Sequence, residues 1–380
     1  MVTKKICLVS INSYNELTGG GLYLRTIVSF LKKNNVDLTL IDKYSSKFIF
    51  DDKDFKHLSF TKGYFQDIFS RLLFLPSFYI PYLFSLMKIF KENEIIGFHN
   101  SRLGLLCLLC RLFYPNKKII LFTDNFEYDL VSQKKLSPGI VWERVIVKFN
   151  EWLGLKKANL VSYITNHDKI SMECYYGEIN SKSLILPVIF TPGVCKETLS
   201  KDFSERLLKV QVDERRKLIF TASFDFFPNI DAAHKIISQA KNEKDILFIL
   251  AGRKLSTLHL PVLDNLIAFN DLSNSEMSSL LCACDIFYSP LVMGSGMKTK
   301  VAEALSYGLH IYATEHTMVG YEDIVNDKNC VTVIKDVNAP IAYSIKNDIF
   351  NKDVISSMQD KYYSLKRFTG KELDVLLAIE

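Results

Sequence analysis

Short apolar runs alternate with longer runs of helical periodicity along almost the whole chain, and they do so in two consecutive series. In the first series Lys5–Ile11, Val36–Ile41, Ile95–Phe98, Lys118–Thr123, Ala158–Ile164 and Ser183–Val188 read as strands. Tyr23–Lys33, Leu103–Phe113 and Trp142–Leu155 read as helices between them. A polar stretch, Lys196–Arg216, interrupts the pattern. The second series then has Leu218–Thr221, Ile246–Leu250, Leu266–Phe269, Ile286–Tyr288, His310–Ala313 and Val331–Val333 as strands. Its helices are Asn229–Lys241, Glu276–Cys284 and Lys298–Gly308. Strand–helix alternation of this kind produces parallel sheets covered by helices on both faces. The expected fold class is therefore α/β, with two Rossmann-like domains. The expected division is 1–195, 196–360 and a helical tail over 361–380 that packs back toward the N-terminal domain.

Composition agrees with this size. The chain has 380 residues, 48% apolar and 23% charged, which excludes disorder, collagen and a pure coiled coil. The net charge of +5 is a small excess and gives no argument for nucleic acid. Eight cysteines follow no disulfide framework. Cys107 and Cys110 form a CxxC inside an apolar run, where buried thiols are expected rather than a zinc or redox pair. A reducing, cytoplasmic compartment follows. The short apolar run after Lys4-Lys5 lacks the pattern of a signal peptide.

One region is both basic and unusually apolar. Thr61–Ile120 holds eight basic residues against three acidic ones, among many Phe, Tyr and Leu. Leu72–Phe90 has the length of a short membrane span but contains Pro76 and Pro81. Three readings compete: a buried helix pair, a surface that docks on anionic lipid, and a true span. The docking reading assigns residues 62–91 to a peripheral contact with an anionic membrane, through Lys62, Arg71, Lys88 and Lys91.

The segment with the most chemistry runs from Tyr288 to Gly308. A strand ends at Pro290, Gly294-Ser295-Gly296 follows, and a helix begins near Met297 and Lys298. Glycines let backbone approach an anion, and free N–H groups at a helix start favour phosphate oxygens. Lys298 and Lys300 add positive charge. Glu303 lies further along the same helix, and a carboxylate can accept from both hydroxyls of a ribose. This is the pattern of a nucleoside-diphosphate site; an ordinary glycine turn is the plain alternative.

These residues resemble the donor-site signature of GT-B glycosyltransferases, in particular retaining family 4, the group 1 glycosyl transferases. The resemblance is carried by Pro290, Gly294, Gly296, Lys300, Glu303-Ala304, Gly308 and Ala313-Thr314. Phe220–Ala232 resembles the first loop of the same domain, Ala283–Phe287 the strand before the donor-site proline, and Gly19-Gly20-Gly21 the glycine loop of the acceptor domain. The resemblance implies a GT-B fold, with two Rossmann-like domains facing each other across a cleft. It implies a retaining transfer from a UDP- or GDP-sugar to a saccharide or lipid-linked acceptor, in cell-surface polysaccharide or glycoconjugate synthesis.

By the same resemblance Glu303 holds the ribose as the second Glu of a Glu-x7-Glu motif. Ser295 stands where the first Glu would be. Donor contacts are assigned to Gly20, Gly21, Ser223, Asn229, Arg253, Gly294, Ser295, Gly296, Met297, Lys298, Lys300 and Glu303. Relatives often carry a His after the strand corresponding to Lys118–Thr123, and here Asp124-Asn125 take that place. Asp124 and Asn125 are thus candidates for the catalytic and acceptor face, with His99 as a further acceptor contact and Lys298 and Glu303 completing the catalytic set. Front-side attack needs no paired carboxylates. Its demands are charge on the leaving diphosphate and alignment of the acceptor, so no metal and no cofactor are expected. The alternatives are a non-catalytic donor-binding partner of another transferase and a sugar-nucleotide epimerase of the same fold.

Overall fold

The computed structural model describes residues 4–16, 18–45, 54–61, 70, 74–75, 77–179, 181–191, 199–294, 296–341, 349–368 and 370–377. The chain forms two compact units, Met1–Val188 with Phe368–Glu380, and Ile189–Arg367. The division falls a few residues before the expected 195/196, and the final segment joins the first unit from Phe368 onward. Lys4 Nζ donates to the carbonyl of Leu377 at 2.9 Å, and the Phe30 and Phe368 rings meet edge to face at 5.0 Å.

In the first unit the strands are β1 (Lys5–Ser10), β2 (Asp37–Lys43), β3 (Lys56–Phe60), β4 (Ile95–His99), β5 (Lys118–Phe122), β6 (Leu160–Tyr163) and β7 (Lys182–Ile185). They form a parallel sheet in the order β3-β2-β1-β4-β5-β6-β7. The central strands are fully buried because helices cover both faces. β3 was not expected. Its sequence, KHLSF, has no continuous apolar run, and it lies half-buried at the sheet edge where none is required.

The second unit has β8 (Arg216–Ser223), β9 (Ile246–Arg253), β10 (Leu266–Asn270), β11 (Ile286–Ser289), β12 (His310–Thr314) and β13 (Val331–Ile334). These strands order as β10-β9-β8-β11-β12-β13, again parallel. Both sheets reverse direction beside their first strand, between β1 and β4 and between β8 and β11. Loops leaving the carboxyl ends of those strands border the crevice where ligands bind in open parallel sheets.

One expectation needs correction, and one stretch left unassigned is structured. From residue 199 the described part of the polar stretch contains a helix. Ser200 caps this helix, Lys201–Val212, whose Phe203, Leu207 and Val210 are buried. The glycines 19–21 are not a loop before a helix but its first turn, in the helix Gly19–Lys33, with Thr18 Oγ1 accepting from Gly21 N. Small size is what matters there: a Cβ on Gly21 would lie 2.2 Å from the Glu16 carbonyl oxygen.

The apolar run after residue 72 resolves into a 3-10 turn at Ser77–Tyr82 and a ten-residue helix, Leu83–Glu92. Among the described residues no helix is long and apolar enough to cross a membrane. Tyr79, Leu86 and Phe90 are buried in the core of the first unit. Phe84, Ser85, Lys88 and Lys91 form the exposed face of the same helix. Lys62 and Arg71 lie outside the described residues. Cys107 and Cys110 are buried in the core, and burial pushes the Cys110 thiol up to about 11.

Candidate active site

At the crevice of the first sheet, β1 and β4 end side by side on Ser10 and His99. Ser10 Oγ and His99 Nδ1 are 2.8 Å apart. His99 is fully enclosed, and burial holds its imidazole down to about 3, so it is neutral. Among the described residues its Nε2 has no hydrogen-bond partner, and it stands 3.8 Å from Asp124 Oδ2. The Tyr23 ring, from the helix after β1, lies 5.5 Å from the imidazole.

Asp124 and Asn125 follow β5, the next strand of the sheet. Asn100 joins them to the end of β4. Its amide donates to Asp124 Oδ1 and, at 2.9 Å, to Glu127 Oε1, which Asn125 Nδ2 also approaches at 3.4 Å. Arg102 Nε donates to the other Glu127 oxygen at 2.8 Å and extends to Glu143. Beneath lies Glu151, buried on the long helix Pro138–Lys157. It accepts from Ser101 Oγ, Glu127 N, Tyr128 N and Tyr176 OH at 2.8–3.2 Å. Burial, then the Glu127 charge, raise Asp124 to about 8 and Glu151 to about 7.

Of the sequence-assigned residues of this unit, His99, Asp124 and Asn125 lie at the ends of neighbouring strands, with different exposure. His99 and Asp124 are buried, and Asn125 is half-exposed. Glu127 and Glu151 were missed. Glu127 had a faint signal, an acid in the first turn of a helix just after a strand. Glu151 had none, because a carboxylate on an amphipathic helix ordinarily faces water.

In the second unit the crevice is bounded by the loops after β8 and β11. Ser223 closes β8 and pairs in register with Arg253 of β9. Its Oγ donates to Asp225 at 2.7 Å, and its carbonyl accepts from Asn229 Nδ2 at 2.9 Å. Ser223 and Asn229 thus shape the first loop, while the Arg253 side chain is exposed. Lys254 pairs with Asp225 at 3.1 Å, which supplies a cation to this loop from the residue just past the end of β9.

After β11 the backbone turns through Gly294 (φ +112°) and Gly296 (φ +69°), values that favour glycine. Ser295 lies outside the described residues. Met297 is buried, and Lys298 immediately precedes the eight-residue helix Thr299–Ser306 without a side-chain capping bond. Lys298 Nζ donates to the Gly296 carbonyl at 2.8 Å. Lys300 and Glu303 pair at 2.6 Å on the first turns of the helix. Tyr321, unremarked in the sequence, ties this corner together. Its hydroxyl donates to the Lys298 carbonyl at 2.8 Å and accepts from Ala302 N at 3.0 Å. Two lysines, a helix start and one mostly buried carboxylate make a corner that suits an anion with a neighbouring diol. Among the described residues no group of His, Cys, Asp and Glu is arranged to hold a metal ion.

Residues 215–346 match the family described as glycosyl transferases group 1. No curated protein sequence is significantly similar to the chain. HepE from Anabaena, solved with UDP and glucose, superposes with a TM-score of 0.69 at 13% identity, covering 99% of this chain and 100% of that one. Sucrose-phosphate synthase from Thermosynechococcus elongatus gives 0.68 at 11%, covering 99% and 100%. A glycosyltransferase from Rickettsia africae gives 0.65 at 13%, covering 100% and 99%. At these identities the structural likeness speaks for the fold, and the family match speaks for the chemistry of the second unit. Residues 215–346 thus carry a group 1 glycosyl transferase domain, and the chain is a glycosyltransferase of the GT-B fold.

Proposed function

We propose that this glycosyltransferase moves a sugar, with retention, from a UDP- or GDP-linked donor to a saccharide or lipid-linked glycan in cell-surface polysaccharide or glycoconjugate synthesis. The observation that carries the donor reading is the corner Gly294–Glu303, which lies inside the matched family segment. In this reading Glu303 takes the ribose, and the amides near Gly296 with Lys298 and Lys300 take the diphosphate. Charge building on the leaving diphosphate is met by groups already in place, which lowers the barrier without reorganisation. The reading needs no metal, because lysines and helix amides supply that charge. Asp124 and Asn125 serve the acceptor side. HepE was solved with UDP-glucose, so UDP-glucose is the first donor to try. A thermal-shift panel of UDP- and GDP-sugars tests the site, since a ligand bound only by native protein raises its melting point. No shift with any donor overturns the reading. Anomeric analysis of the product by NMR tests retention.

The membrane contact belongs to the same proposal, on a redrawn surface. Phe84, Lys88 and Lys91 share the exposed face of one helix, and Phe84 is 92% exposed. The helix Pro138–Lys157 adds Trp142, Val145, Phe149 and Trp152, all exposed. Aromatic side chains among lysines suit the interface of an anionic bilayer, and such a surface would bring a lipid-borne acceptor to the enzyme at the inner face of the cell membrane. Liposome flotation checks this. Binding to anionic but not neutral vesicles, reduced by Phe84→Ser with Lys88→Glu, is expected. Equal, negligible binding to both overturns it.

A further inference from the structure

The helix that follows Asp124 and Asn125, Glu127–Ser132, starts without a cap of its own. Phe126 stands at its N-cap position and makes no side-chain hydrogen bond there. The first backbone N–H groups of a helix have no partner inside it, so when buried they need another acceptor. Glu151 supplies that acceptor from the helix Pro138–Lys157. Its Oε1 accepts from Glu127 N at 3.0 Å, and its Oε2 accepts from Tyr128 N at 3.2 Å.

The same carboxylate reaches two more elements. Oε1 accepts from Ser101 Oγ at 2.8 Å, in the 3-10 turn Ser101–Leu103 after β4. Oε2 accepts from Tyr176 OH at 2.9 Å, at the end of the helix Asn166–Tyr176. An ionised carboxyl group offers about four lone-pair sites, and four donors meet this one in full burial. Its own place is fixed by the residue before it. Asn150 accepts from Leu105 N at 2.9 Å and donates to the Phe74 carbonyl at 3.0 Å. The turns after β4 and β5 are thus held to one anchored group. Asn100, next to Ser101, donates to Asp124 Oδ1 and Glu127 Oε1, so the side chains of the two turns meet in a set arrangement.

We infer that Glu151 is a positioning residue for the acceptor side. It sets the turn that carries Asp124 and Asn125, and the turn that carries Asn100, without touching substrate. The inference rests on the reading that Asp124 and Asn125 serve the acceptor.

NMR of the isotope-labelled whole chain tests it without substrate. In Glu151→Gln the amide protons of Glu127 and Tyr128 are expected to exchange about tenfold faster, through loss of hydrogen bonds to a charged acceptor. The side-chain amide signals of Asn100 and Asn125 are expected to shift. Wild-type exchange in β4 and β5 reports folding. Ser101→Ala removes one donor and leaves the carboxylate in place. It is expected to shift the Asn100 signal and to keep Tyr128 protected, and it decides the question where Glu151→Gln does not fold. Unchanged exchange at Glu127 and Tyr128 overturns the inference. So do Asn100 and Asn125 signals that stay in place in Glu151→Gln, or an Asn100 signal unmoved in Ser101→Ala, since Glu151 then only fills the core. Release of sugar into water, from the UDP- or GDP-sugar that thermal shift selects, separates the inference from the reading beneath it. Glu151→Gln is expected to lower kcat about tenfold through misplaced groups, with KM for the donor unchanged. A loosened turn with wild-type kcat overturns the acceptor reading of Asp124 and Asn125 and leaves the positioning by Glu151 standing.

Discussion

Lys300 Nζ and Glu303 Oε2 lie 2.6 Å apart across one turn of the helix Thr299–Ser306. The pair holds the carboxylate assigned to the ribose at the mouth of the helix, with Glu303 mostly buried and Lys300 half-exposed. An exposed ion pair adds little stability, so its value lies in orientation. Glu303→Ala is expected to weaken UDP or GDP binding about 10- to 100-fold, the loss of hydrogen bonds to a charged acceptor. Lys300→Ala should cost less, because the carboxylate remains. Calorimetric titration of both variants checks the order.

The crevice of the first unit has a predictable response to pH. Burial, then Glu127, raise Asp124 from an ordinary 3.8 to about 8 and Glu151 from 4.5 to about 7. The folded chain thus keeps protons that the unfolded chain has released. That stabilisation is complete below the ordinary carboxylate range and is lost as pH rises through about 7 to 8. His99 acts in the opposite sense. Its pKa falls from 6.5 to about 3, so its contribution is present above 6.5 and is lost as pH falls toward 3. The two oppose each other in mild acid, and only the carboxyls act above 6.5. The melting temperature should therefore drop from pH 6.5 toward 8, and Asp124→Asn should flatten that slope by on the order of 1 kcal/mol. Calorimetric melts across the range measure it; an unaltered slope in the variant contradicts the assignment.

Gly104 permits the close crossing of the helices Gly104–Phe113 and Pro138–Lys157. A Cβ there would lie 1.7 Å from the Asn150 carbonyl oxygen. The Asn150 side chain in turn accepts from Leu105 N at 2.9 Å and donates to the Phe74 carbonyl at 3.0 Å. Gly104→Ala must push the helices apart and should destabilise the first unit by about 1–3 kcal/mol or more. Gly139, which has open space around it, is the control. Gly139→Ala should stabilise by about 0.5–1 kcal/mol. Denaturant titration distinguishes the two signs.

Tyr321 links the donor corner to the segment after β12 through one hydroxyl. Removing it leaves Ala302 N and the Lys298 carbonyl without that partner. Tyr321→Phe should cost about 1 kcal/mol of stability and raise KM for the donor more than it lowers kcat, since the loop is loosened in the free enzyme. Steady-state kinetics with the donor found by thermal shift checks the split.

Local pattern was enough to place most of the strands. β1, β4, β5, β8, β9 and β11 are continuous apolar runs because parallel sheets bury both faces, and the glycine–lysine–glutamate spacing from Gly294 to Glu303 is a local motif on one loop and one helix. The edge strand β3 was not legible, because an edge needs no apolar run. The helix at Lys201–Val212 was obscured by its polar surface face.

What the sequence determined by itself was a pair of strand–helix series and the residues of the donor loop, since periodicity and spacing act within a few turns of chain. What only the tertiary structure decided was partnership. Glu151 reaches Ser101 across 50 residues, and Asn100 meets Asp124 and Glu127, because β4 and β5 lie side by side. His316 comes beside Gly294 because β12 pairs with β11. Strand order sets those meetings, and strand order depends on the packing of the whole sheet, not on any one segment.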